Sequence, residues 1–159
     1  MSLSRASDSR ALALLCAGRG RDTAQAMSQE NVESLRRSVD ALNRGDRTAW
    51  LATADPDGEM VPAKDWPENA PVHGPKAIWD YYVGVTQAWE VGSFELPEII
   101  EAGADKVVFN ARRHARGRAS GADLMFSYWG VLTFRDGRQI RTEWFADRAG
   151  ALEAAGLSE

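Results

Sequence analysis

Leu124-Met-Phe-Ser-Tyr-Trp-Gly-Val-Leu-Thr-Phe134, then Arg135-Asp-Gly-Arg138, then Gln139-Ile-Arg-Thr-Glu-Trp-Phe-Ala146 is the stretch that decides the fold. Two runs rich in aromatic and β-branched residues flank Asp136-Gly137, a pair that accepts the left-handed backbone of a two-residue hairpin. With these two as the loop, Arg135 pairs with Arg138 and Phe134 with Gln139. An uninterrupted count back from the turn sets Val131 opposite Thr142, Trp129 opposite Trp144 and Tyr128 opposite Phe145. On that register one face carries Trp129, Val131, Ile140, Thr142 and Trp144. The other carries Tyr128, Leu132, Phe134 and Phe145, with Arg141 and Glu143 among them. Both faces are apolar, so both need cover.

Two more strands precede the hairpin, over residues 94–101 and 106–116, joined at Gly103-Ala104-Asp105. Upstream the period changes. Ser28 caps a helix to about residue 43 whose stripe is Val32, Leu35, Val39 and Leu42. Gly45 ends it, and Asp46 caps a short helix carrying Trp50, Leu51 and Ala54. Asp55-Pro56-Asp57-Gly58 reads as a turn before a short strand over residues 59–61. Pro62, Pro67, Pro71 and Pro75 make residues 62–75 an ordered loop around Lys64-Asp65-Trp66. Gly74-Pro75 opens a third helix with Ile78, Tyr81, Tyr82, Val85 and Trp89 on its buried face. Asp147 caps a short last helix that ends before Gly156. The fold class is α+β.

A chain of 159 residues, 44% hydrophobic and 26% charged, has the size and balance of one globular domain. A net charge of −4 gives no basic footprint despite Arg112, Arg113, Arg116 and Arg118, so no nucleic-acid partner is expected. No apolar run approaches a membrane span, and no membrane partner is expected. Ala11-Leu-Ala-Leu-Leu-Cys16 is too short for a secretory apolar region, and Arg19 and Arg21 follow it. Residues 1–26 are therefore read as a disordered or loosely structured extension, residues 27–159 as the domain, and the location as cytoplasmic. Cys16 is the lone cysteine, so no intramolecular disulfide forms. His73 and His114 cannot build a structural zinc site without carboxylates. Neither metal nor cofactor is expected.

Residues 27–157 resemble a SnoaL-like domain of the nuclear transport factor 2-like superfamily, the polyketide cyclase and ketosteroid isomerase-like fold. The likeness rests on Met27-Ser-Gln-Glu-Asn-Val-Glu33, on Ala41-Leu-Asn-Arg-Gly-Asp46 and on Trp66-Pro-Glu68 leading to His73-Gly74. It continues through Phe134-Arg-Asp-Gly-Arg138, Phe145-Ala-Asp-Arg148 and Ala151-Leu-Glu-Ala-Ala-Gly-Leu157. The resemblance implies a cone: a curved antiparallel sheet wrapped on three helices around an internal pocket. The superfamily houses isomerases, hydrolases, cyclases, dehydratases and pure binding domains, so fold alone assigns no activity. Its polyketide-cyclase branch carries an aspartate late in the last long strand, often in a His-Trp-Asp-like run. Here that stretch reads Thr142-Glu-Trp-Phe145, with no histidine before it and the acid on the face opposite Trp144. The Asp-Arg-Asp arrangement of the limonene-epoxide-hydrolase-like branch is not identifiable. Asp65 falls near the place where the ketosteroid-isomerase-like branch puts its proton-shuttling aspartate.

Asp65 is the candidate base, since a carboxylate beside Trp66 in an apolar mouth accepts protons readily. Its alternative is a solvated aspartate paired with Lys64. His114 shares a strand face with Asn110, Arg112 and Arg116. If that face lines a pocket, Arg112 orients an anionic or carbonyl substrate while His114 exchanges a proton. If it faces water, the run is a polar sheet surface. Indole N–H groups need partners, so tryptophan clusters favour pocket walls. Trp50, Trp66, Tyr82, Trp129 and Trp144, with Arg112, are the expected lining. No nucleophile motif is present, and Gly117-Arg-Ala-Ser-Gly121 lacks the ending of a phosphate loop. The expected function is binding of a largely apolar or aromatic metabolite with cofactor-free acid–base chemistry of isomerase, dehydratase or cyclase type. The alternative is a non-catalytic dimerisation or ligand-sensing module. Apolar residues on both faces of the hairpin point to a homodimer through the outer sheet face.

Overall fold

The apolar stripe Val32, Leu35, Val39 and Leu42 belongs to helix α1, Arg5–Arg44, in a computed structural model that describes residues 5–158, with side chains from Gly20 onward. The extension read over residues 1–26 thus lies in part outside the described residues. Where it is described, the backbone is helical and runs without a break into the domain helix. Ser28 is not the cap that the sequence suggests. It sits inside α1, where its hydroxyl donates to Gly103 O at 2.9 Å while Asn31 Nδ2 donates to Ala104 O at 2.9 Å. These two bonds dock α1 on a strand turn, and from Gly20 onward Ser28 is the first buried residue.

Gly45, with φ +67, turns the chain into α2 (Arg47–Leu51), capped by Asp46 Oδ1 accepting from Ala49 N at 3.0 Å. Strand β1 (Ala54–Val61) follows directly, so Ala54 is not helical and residues 55–58 are strand rather than turn. Their extra length appears as a bulge between Ala54 and Glu59. Asp55 and Asp57 on the bulge both take Arg135, at 2.9 and 3.0 Å, which ties β1 to the hairpin. The proline loop contains the short strand β2 (Val72–His73). Helix α3 (Pro75–Gly84) has proline in its first turn, as expected, but stops before Val85. Trp89 instead opens strand β3 (Trp89–Val91).

Strands β4 (Glu95–Ala102), β5 (Lys106–Gly117), β6 (Asp123–Arg135) and β7 (Arg138–Phe145) complete a seven-stranded sheet. Its order is β2-β1-β7-β6-β5-β3, with β4 also pairing β5. All pairings are antiparallel except β1 with β7, which is parallel. The sheet is therefore mixed, and it curls around α1, α2 and α3.

The hairpin turn behaves as its residues require: Asp136 and Gly137 take φ of 51° and 76°. Arg135 pairs with Arg138 and Phe134 with Gln139 as read. Beyond them the register slips by one at a bulge, where Thr133 meets Arg141 and Ile140 is the extra residue. Val131 now faces Glu143, Gly130 faces Trp144 and Trp129 faces Phe145. That slip exchanges faces. Leu132, Phe134 and Trp144 join the concave core with Met60, Val107 and Phe109, and Tyr128 packs against it. Trp129 and Phe145 go to the convex side, where helix α4 (Arg148–Ala154) covers Ala102, Val108 and Val131 with Ala151 and Leu152.

Candidate functional site

Gly130 holds the middle of the concave face. It pairs with Phe109 on one side and Trp144 on the other, and a Cβ there would clash with the edge of the Phe109 ring. The missing side chain lets the two rings meet over it at 5.4 Å, nearly edge to face (78°). Above them is a hollow walled by Leu35, Val39 and Leu42 from α1, Trp50 from α2 and Tyr82 from α3. Phe94, Ala111, Leu132 and Thr142 extend the lining. Its cavity volume is about 60 Å³. That is room for a few waters. A metabolite-sized guest requires the side chains over the mouth to move.

An aromatic cluster adjoins the hollow through Trp144. Trp66 stacks on Tyr81 at 6.3 Å and packs on Trp144, Phe126 and Tyr128 at 5.6, 5.9 and 5.2 Å. Tyr81 Oη donates to Glu68 O at 2.7 Å and pins the proline loop to α3. The Trp66 indole nitrogen is buried with no hydrogen-bond partner. It is near enough to the Tyr128 phenol to affect its ionisation, but the geometry falls short of a bond.

The polar groups divide into two sets. Inside, Trp144 Nε1 donates to Tyr82 Oη at 3.0 Å, and burial pushes the Tyr82 phenol far above its usual range against that bond. Tyr82 therefore stays neutral and keeps its own proton for a further acceptor. On the adjoining cluster, Tyr128 Oη donates to Asp65 Oδ2 at 2.8 Å. Burial first, then the Asp65 carboxylate, raises the Tyr128 pKa.

The expected site residues separate accordingly. Trp50, Tyr82 and Trp144 line the hollow, Trp66 packs on Trp144 next to it, and Asp65 is exposed, bonded to Tyr128 rather than paired with Lys64. Arg112, His114 and Trp129 do not join them. Arg112 and His114 are exposed on the convex face, where Arg112 pairs with Glu95 at 3.1 Å. Trp129 lies on that face under Arg148, at 5.7 Å. Alternation on β5 puts Phe109, Ala111, Arg113 and Ala115 inward. The arginine on the inner face of β5 is thus Arg113, which the sequence reading passed over. Its guanidinium lies 4.0 Å above the Phe94 ring. The signal was the complementary face of β5, apolar apart from that one cation.

A curled mixed sheet closed by helices over an apolar hollow defines a nuclear transport factor 2-like pocket fold. The sequence matches the SnoaL-like domain family over residues 35–142, and the chain belongs to that family. Solved structures agree on the fold. TerC co-crystallized with polyporic acid is similar at 23% identity and a TM-score of 0.63, over 80% of this chain and 98% of that one. A proposed polyketide cyclase from Xanthomonas campestris pv. campestris is 16% identical with a TM-score of 0.63, over 76% and 93%. A proposed isomerase from Bacillus subtilis is 23% identical with a TM-score of 0.61, over 83% and 96%. No curated protein matches the sequence significantly. Among the described residues no helix is long and apolar enough to cross a membrane.

Proposed function

We propose that this chain binds a largely apolar or aromatic metabolite in the hollow beneath Trp66. The Asp65–Tyr128 pair would perform cofactor-free proton transfer on it, of isomerase, dehydratase or cyclase type. The observation that carries this reading is a mostly apolar chamber with Tyr82 and Thr142 inside and a carboxylate–phenol pair on the aromatic cluster that adjoins it through Trp66 and Trp144. A similar fold holding polyporic acid, and neighbours described as cyclase and isomerase, support the same reading. The test is a thermal-shift screen of aromatic and polycyclic metabolites, followed by turnover assays on those that bind. Asp65→Asn keeps the shape and removes the base, so it abolishes turnover while leaving binding and melting temperature unchanged. Turnover that survives in Asp65→Asn removes the catalytic part of the proposal.

Two observations favour the non-catalytic, ligand-sensing reading: Asp65 faces solvent rather than the hollow, and the hollow is nearly filled by its own side chains. Binding without turnover for every hit would decide for it. We also propose a homodimer through the convex sheet face. Of the apolar patch expected there, Leu132 and Phe134 are inside the core, and Trp129 and Phe145 are half-buried on the cluster that α4 covers, so the support is their remaining exposed surface with exposed Met125 on the same face. Arg141 is already paired with Glu59 and Glu143 within the chain. Light scattering coupled to size exclusion gives a dimer mass at micromolar concentration, and a monomer mass refutes the dimer.

A further inference from the structure

Arg113 is the one charged side chain on the concave face of β5. Its guanidinium is 4.0 Å over the ring of Phe94 and 5.9 Å from that of Phe126. Phe94 is itself fixed: its backbone N–H donates to Asn43 Oδ1 at 2.8 Å and its carbonyl accepts from Asn43 Nδ2 at 3.1 Å. Phe94 also lines the hollow, and Phe126 packs on Trp66. The cation is thereby held against a ring that lines the chamber, beside the aromatic cluster of Phe126 and Trp66. Of the neighbouring arginines, Arg112 has a counter-ion in Glu95 and Arg118 in Glu90, while Arg116, unpaired among the described residues, is exposed to solvent. Arg113 forms no ion pair among the described residues. Burial lowers its pKa to about 10, with no acidic neighbour to offset it. The Asp65 carboxylate is bonded to Tyr128.

A half-buried guanidinium on an aromatic platform keeps its five donors pointing away from the ring. Leaving such a charge without a partner opposes folding, and arrangements of that kind persist where a ligand supplies the partner. The buried Trp66 N–H on the other side of Phe126 is a second donor without an acceptor. Both missing partners are oxygen acceptors, one of them negatively charged. We propose that Arg113 is the anchor for an anionic oxygen, a carboxylate or an ionised enol or phenol, carried by a planar aromatic ligand that enters beneath Trp66. The ligand class is thus narrowed from apolar metabolites to aromatic acids. This rests on the pocket reading above.

The probes are 2-naphthoate and 2-naphthamide, equal in shape and differing in charge, titrated at neutral pH by quenching of tryptophan fluorescence. The wild-type protein binds 2-naphthoate about tenfold or more tightly than 2-naphthamide, as a charge-assisted contact in a half-buried site gives. Arg113→Met brings the two probes to within about twofold by weakening 2-naphthoate alone, and it melts no lower than wild type because it removes an unpaired charge. Arg113→Lys keeps the cation and retains part of the preference, so it reports on the anchor even if Arg113→Met folds poorly. Equal affinities in the wild type, or a preference that survives Arg113→Met, overturn the anchor while leaving the pocket in place. Failure of both probes to bind the wild type overturns the pocket reading, and the anchor with it.

Discussion

Gly130→Ala adds a single methyl group at the point where Phe109 and Trp144 meet. The new Cβ would lie 2.5 Å from Phe109 Cε1 and 3.0 Å from Cε2, with Cζ closer still. Phe109 is only 3% exposed and Trp144 blocks its far side at 5.4 Å, so the ring cannot tilt away without displacing a second aromatic. Overpacking of this kind costs about 1–3 kcal/mol. For a domain of this length each kcal/mol lowers the melting temperature by roughly 2–4 °C, so a fall of about 6 °C is expected. The ring's escape path leads into the hollow it lines, so binding of 2-naphthamide should weaken as well. Circular-dichroism melts of Gly130→Ala, Phe109→Leu and the double variant read the coupling directly. The smaller leucine should absorb most of the strain, leaving the double variant less destabilised than the sum of the singles. A Gly130→Ala melt within a degree of wild type, or simple additivity, would refute the account of the concave face.

Tyr82→Phe strips the acceptor from the Trp144 indole and should cost about 1–3 kcal/mol, read by urea unfolding; an unchanged midpoint would mean that water replaces the phenol. The Asp57 backbone N–H, and then Arg135, hold the Asp55 carboxyl below its usual 3.8 despite burial. A lowered folded pKa adds stability that is complete above the unfolded value and disappears as pH falls through the folded one. The melting-temperature gap between wild type and Asp55→Asn should be widest near neutrality and close below about pH 4, and a gap constant with pH would contradict this. A chain beginning at Met27 should melt within a few degrees of the full-length protein, because from Gly20 onward burial begins at Ser28. A large fall would show that the preceding helical turns pack on the domain.

The layered α+β fold was legible because its signals are local and repeated. Asp136-Gly137 demanded a hairpin, and the spacing of Val32, Leu35, Val39 and Leu42 demanded a helix against a core. The errors come from features that leave no periodic trace. One bulge at Ile140 shifts the register and sends Trp129 to the convex face and Trp144 to the concave one. Alternation continues on both sides of a bulge, so a count from the turn passes through it unaware. Trp89 keeps helical spacing from Val85, yet Gly84, Val85 and Thr86 favour helix poorly and the chain has left α3 by then. Half of the site was legible as well. Trp50, Tyr82 and Trp144 were found as aromatic payload, and Asp65 was placed beside Trp66 by the loop that holds them both. Arg113 was missed because its meaning depends on Phe94, which meets it across a strand boundary that no spacing rule predicts.

The central claim is that the hollow under Trp66 is where a ligand sits, and the six indoles report on it residue by residue. Each gives its own N–H resonance in a nitrogen–proton correlation spectrum, assigned by single Trp→Phe variants. Trp50 and Trp144 line the hollow and Trp66 packs on Trp144, whereas Trp129 lies on the convex face and Trp89 at the start of β3. Titration with 2-naphthamide should move the Trp50, Trp66 and Trp144 resonances in step while Trp89 and Trp129 stay in place. Movement of Trp129 with Trp50 and Trp144 unchanged would put the ligand on the outside of the sheet and contradict the account.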